Sequence, residues 1–164
     1  MKRLLYVLIV AFLVQFSSCE KDDICVAGDT PLLMLGFYDY EEPETEKSVP
    51  NLRSTETLSN LVVNTLGNKT TDSLPLRTDA SSTTFVLHNN YSVAEDGTVN
   101  GNPDTVTFTY SVEEEFLSTA CGYIANYNEL TAALTSDTGN WIDSIAVEVT
   151  LVKRDTLTHV KIFH

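Results

Sequence analysis

Three cysteines, three histidines and one run of acids carry most of the chemistry open to this chain. The cysteines are Cys19, Cys25 and Cys121; the histidines are His88, His159 and His164; the acids are Glu113, Glu114 and Glu115. A thiol can form a thioether, a disulfide or a metal bond, and it attacks carbonyls once a base has taken its proton. The spacing for metal or nucleophilic work is missing. No HxH or HExxH pair occurs, Cys25 and Cys121 form no CxxC, and there is no GxSxG elbow or glycine-rich phosphate loop. Three consecutive glutamates read as a solvated bend at a strand junction. Glycoside chemistry needs two carboxyls facing each other across a cleft, which adjacency does not supply. Asp96, Thr98, Asn100, Asn102 and Asp104 space their oxygens like a calcium loop, but the twelfth position is Thr107 and not a bidentate glutamate. Residues 94–104 therefore read as a hairpin loop. No catalytic residue, no metal ligand and no cofactor is assigned.

The N-terminus is more specific. Met1-Lys2-Arg3 is followed by the apolar run LLYVLIVAFLV, Leu4 to Val14. Two basic residues, a short apolar stretch and small residues before a cysteine make a secretory signal. The run is shorter than the ~20 residues a spanning helix needs. The signal ends in FSSC, residues 16–19, which resembles the lipobox of bacterial lipoproteins. Phe16 stands where that pattern prefers leucine. The resemblance implies cleavage before Cys19, a diacylglycerol thioether on Cys19, and attachment to a membrane through lipid. The organisation expected is a signal peptide at 1–18, a lipidated tether at 19–29 and one domain at 30–164, with a length that suits a real core.

The net charge is −13, and removal of residues 1–18 takes away two basic residues and no acid, leaving −15. Such a surface disfavours nucleic acid and anionic head groups and keeps a protein soluble. With Cys19 lipidated, Cys25 and Cys121 remain. An exported chain with two cysteines allows a single pairing, and the oxidising compartment favours the bond.

The elements that must position these groups read as strands. Leu32 to Tyr40 is almost continuously apolar and reads as a central strand. Glu41 to Glu56 is a long acidic loop with Pro43 and Pro50. Strands are expected at Leu58 to Leu66, with Leu61 and Val63 on one face, and around Ser73 to Arg77. Thr83 to Ser92 places Phe85, Leu87 and Tyr91 on one side. Thr105 to Val112 is the clearest strand, with Val106, Phe108, Tyr110 and Val112 alternating with threonine and serine. Phe116 to Tyr127 reads as one or two strands around Gly122, and 128–134 as an extension or a helical turn. Trp141 to Val152 alternates, and Leu157 to Phe163 closes the chain, with His159 on the exposed face beside Lys161. Seven or eight short strands without a long amphipathic helix make an all-β antiparallel sandwich of immunoglobulin- or transthyretin-like architecture.

The stretches CEKDDIC, LGFYD at 35–39, LPL at 74–76 and CGY at 121–123 ahead of WIDSIAVEV resemble a family of Bacteroidota lipoproteins of unknown function. The motifs are structural, so the resemblance transfers no catalytic residue. It implies an outer-membrane location. In that phylum a lysine followed by acids behind the lipidated cysteine looks like a surface-export signal, here Lys21, Asp22 and Asp23. Asp-Ser/Thr followed by an apolar residue looks like its O-glycosylation sequence, which marks Ser73, Thr105, Ser144 and Thr156. The function expected is a non-catalytic binding or accessory module of the envelope with a protein or glycan partner. The alternative is a small carbohydrate-active domain or other hydrolase with an unrecognised site. Exposed aromatics on a concave face favour the first; converging carboxylates in a buried cleft favour the second.

Overall fold

The computed structural model describes Cys25 and residues 29–164. Among these residues there is no helix. Eight strands run in the order β1 (Leu33–Tyr38), β2 (Arg53–Glu56), β3 (Thr71–Leu74), β4 (Ser82–Val93), β5 (Val99–Ser118), β6 (Gly122–Leu134), β7 (Ser144–Val147) and β8 (Val160–Phe163). They form two four-stranded sheets, ordered β3-β1-β8-β7 and β2-β4-β5-β6. Every pairing is antiparallel except that of β1 with β8.

The sheets share one core, and their inward residues follow the period of two that a half-buried strand requires. Leu33, Leu35 and Phe37 come from β1, Val160 and Ile162 from β8, Phe85 and Leu87 from β4, and Val106, Phe108 and Tyr110 from β5. Tyr127 is fully buried and meets Tyr110 edge-on, with ring centroids 5.0 Å apart. Its hydroxyl donates to the carbonyl of Leu76 at 2.9 Å, and burial pushes its pKa up to about 12. A buried phenol needs such an acceptor, because an unpaired hydroxyl costs about 1–3 kcal/mol.

Residues 144–152 tie the sheets together. Ser144–Val147 pairs with β8 in the first sheet. The amides of Glu148 and Val149 both donate to His159 O, a bulge that turns the chain. Beyond it Val152 forms an isolated bridge with Tyr127 of β6, and the segment 150–152 lies along the edge of the second sheet.

Several local expectations are corrected. Leu58 to Leu66 is not a strand; Leu58, Leu61 and Leu66 are exposed in turns, and β2 lies earlier, inside the stretch expected as loop. A bulge at Asn90, which has φ 54°, moves Tyr91 off the Phe85 face. Tyr91 instead covers the Arg53 guanidinium and the His88 ring. The loop expected at 94–104 is confined to 94–98, because β5 starts at Val99. Residues 128–134 extend β6 with a break at Glu129, φ 56°. His159 is buried: its Nδ1 accepts the Met34 amide at 3.0 Å.

Candidate functional site

The β5–β6 hairpin outgrows its sheet. β4 begins at Ser82 opposite Thr109, yet β5 runs on to Ser118. Those nine further residues extend about 30 Å at the usual rise of a strand. Beyond Val112, which faces Tyr127 and so the segment at Val152, the hairpin is a two-stranded finger. Its tip is stapled: Cys121 in the turn is disulfide-bonded to Cys25, with Cα atoms 4.8 Å apart and a sequence separation of 96. At the base, Thr30 Oγ1 accepts the Ala125 amide at 3.2 Å. The N-terminal segment thus meets the finger at both ends.

The two faces of the finger differ because β-strands alternate. The inward face continues the core register past the point where the core ends. Phe116 and Tyr123, a cross-strand pair, are therefore left 56% and 68% exposed, with ring centroids 5.2 Å apart. The outward face carries a polar groove of about 490 Å³ lined by Glu113, Glu115, Asn126, Asn128, Leu151 and Lys153, and Glu114 and Phe116 also border it. Asn126 Nδ2 donates to Glu115 Oε2 at 2.6 Å, Asn128 Nδ2 donates to Glu113 Oε2 at 2.8 Å, and Lys153 Nζ lies 2.8 Å from Glu115 Oε2. The hydrogen bonds from Lys153 and Asn126 hold the Glu115 carboxyl below the usual glutamate range. Asn126 is 3% exposed, and its Oδ1 has no hydrogen-bond partner. The groove presents acceptors held in place by donors of its own. That arrangement suits recognition of a donor-bearing ligand and not proton donation, which needs a carboxyl with a raised pKa.

The remaining candidates are spread over the molecule. Glu114 borders the groove and also lines a neighbouring depression with Thr30 and Tyr123. The side chain of His88 packs on Tyr91, and His164 meets Trp141 edge-on at 5.5 Å, while His159 is buried under the 153–158 turn. The three rings are not brought together around one site. Ser73 is half-buried in β3 opposite Met34, behind a buried Asp72, and Thr105 is half-buried in β5 behind a fully buried Asp104. Ser144 and Thr156 are exposed. Cys19, Lys21, Asp22 and Asp23 lie outside the described residues.

Two features escaped the sequence reading. Asn126 carries no motif, and its burial follows from the segment 150–152 covering the edge of β6. The second is a largely buried cluster of Ser54, Asn64 and Asp72, in which Ser54 Oγ and Asn64 Nδ2 donate to Asp72 Oδ2 at 2.6 and 3.1 Å. Burial raises the Asp72 pKa, and these hydrogen bonds only partly offset it. Ser54 and Asp72 are buried and Asn64 is half-buried, and the cluster joins the edge strands of the two sheets.

Comparison with curated proteins and with solved structures gave no match. One protein family does match, over residues 53–164. That range begins at β2 and takes in the finger, the groove and Cys121, while β1 and Cys25 precede it. The chain belongs to the family of unknown function DUF6452.

Proposed function

We propose that this chain is a lipid-anchored, non-catalytic binding module of a bacterial envelope, which takes a donor-bearing protein or glycan partner in the groove of the β5–β6 finger. The observation that carries this is the state of the groove carboxylates. Glu113 and Glu115 are each already hydrogen-bonded to an asparagine amide, and Glu115 also to Lys153. Carboxylates so satisfied are fixed acceptors, and the rival reading as a hydrolase lacks a general acid here.

The anchor rests on the lipobox resemblance at FSSC and on the short apolar run before it. The Cys25–Cys121 bond fits an oxidising compartment. The likeness to Bacteroidota lipoproteins supports an outer-membrane location, with Lys21-Asp22-Asp23 as a surface address. The immunoglobulin- or transthyretin-like form of the sandwich is supported by the parallel pairing of the first and last strands.

Crosslinking of the lipidated protein in intact envelopes, followed by recovery, should capture a partner, and Glu115→Gln combined with Lys153→Ala should lose it with the β circular dichroism signal intact. Turnover of a glycan, ester or peptide by the purified domain, abolished by Glu115→Gln, contradicts the reading. Protease shaving of intact cells tests the address: the wild-type domain should be cleaved, and a variant with Lys21, Asp22 and Asp23 replaced by alanine should be protected.

A further inference from the structure

The finger tip and the expected anchor lie close together along the chain, and this gives the exposed aromatic pair a specific neighbour. Cys121 at the tip is bonded to Cys25, six residues after Cys19. Six residues span at most about 20–22 Å when fully extended. Tyr123 is two positions from Cys121, and Phe116 faces it across the hairpin. An acylated Cys19 would hold both rings within reach of the bilayer surface.

The rest of the molecule is polarised to match. The register puts the 94–98 loop and the 41–46 loop at the end opposite the finger, since β5 begins and β1 finishes there. The 41–46 loop carries Glu41, Glu42, Glu44 and Glu46. The acid-rich loop is thus directed away from the tethered end, while two rings with no core to cover are directed towards it. Phenylalanine and tyrosine rings partition into the membrane–water interface, where the apolar body is dry and the phenol stays wet.

We propose that Phe116 and Tyr123 form an interfacial foot that seats the finger in the surface of the bilayer holding the Cys19 anchor, a proposal that rests on the anchor reading above. The disulfide makes the foot possible by shortening the leash: without it the anchor joins the domain at Thr30, at the base of the finger. Glu113, Glu114 and Glu115 precede Phe116 in β5 and border the same groove, so the foot should prefer a zwitterionic surface to an anionic one.

The test uses full-length lipidated protein in phosphatidylcholine vesicles with and without lipids brominated in the upper acyl chain. Tyr123→Trp and, separately, Phe116→Trp place a reporter in the foot at positions exposed enough to leave the fold intact. Trp141, near the far end, is the internal reference. Sedimentation with the vesicles reports the anchor independently. The expected result is co-sedimentation with loss of emission from Trp at 123 and 116 on brominated lipid, no loss from wild type, and a smaller loss when phosphatidylglycerol is added. Co-sedimentation without that loss overturns the foot and leaves the anchor standing. Failure to sediment overturns the anchor and the foot with it.

Discussion

Ser54 Oγ donates to Asp72 Oδ2 at 2.6 Å, and the two residues belong to different sheets, Ser54 to β2 and Asp72 to β3. The bond is buried and links two edge strands that share no ladder. Desolvation raises the Asp72 pKa. A raised carboxyl pKa means the folded state holds its proton more tightly than the unfolded chain. The stabilising contribution is then full below the unfolded aspartate pKa and is lost as pH rises through the folded one. Urea unfolding from pH 3.5 to 7 should show the wild type losing stability relative to Asp72→Asn as pH rises through the range above the ordinary aspartate value. Asp72→Ala should cost about 1–3 kcal/mol by leaving Ser54 and Asn64 without their acceptor.

His159 gives the opposite slope. Burial lowers its pKa, the nearby Asp155 charge opposes this, and its Nδ1 must stay unprotonated to accept the Met34 amide. The folded state therefore favours the neutral ring. Its contribution is full above the unfolded histidine pKa and fades as pH falls below about 6.5. His159→Asn keeps an acceptor near the Nδ1 position and should flatten part of the loss between pH 6.5 and 5. His88 and His164 are shifted in the same direction and should retain the rest.

The staple at the finger tip closes a loop that takes in β1 to β5, with its ends 96 positions apart in sequence. Its removal by Cys25→Ser with Cys121→Ser should lower unfolding stability by about 2–5 kcal/mol, much of it through a freer unfolded chain. Denaturant midpoints of the double variant against the oxidised protein check this, and equal midpoints would contradict it.

Gly101 lies across the hairpin from the bulge at Asn90. Its φ is +118°, and a β-carbon there would lie 2.7 Å from the carbonyl oxygen of Asn89. The obstacle is backbone, so it cannot swing aside. Gly101→Ala should cost about 1–3 kcal/mol, from strain and overpacking together. Gly97, also at positive φ, has open space around it, and alanine there should show the backbone cost alone.

The β4–β5 ladder is legible in the sequence where β5 runs from Thr105, because its inward residues there are apolar and its outward ones threonine and serine; residues 99–104, rich in asparagine and glycine, are not. The β2 strand is not legible either. Its inward positions are Ser54 and Glu56, both buried, so the usual signal is inverted. The apolar residues Leu58 and Leu61 nearby are exposed and mimic a strand that does not form. Tyr91 changes face because one extra residue at a bulge reverses every side chain beyond it. The disulfide partners follow from the cysteine count once Cys19 is read as lipidated. The groove does not, since Glu113 to Lys153 are gathered by the segment 150–152 leaving one sheet for the other, which composition and spacing do not reveal.

The anchor is the part of the account on which location and the interfacial foot both depend. Intact mass of the chain recovered from envelopes tests it most directly. The expected mass is that of a protein beginning at Cys19, carrying a diacylglycerol thioether, with Cys25 and Cys121 oxidised. A mature chain that begins elsewhere, or one with an unmodified thiol at Cys19, would contradict it.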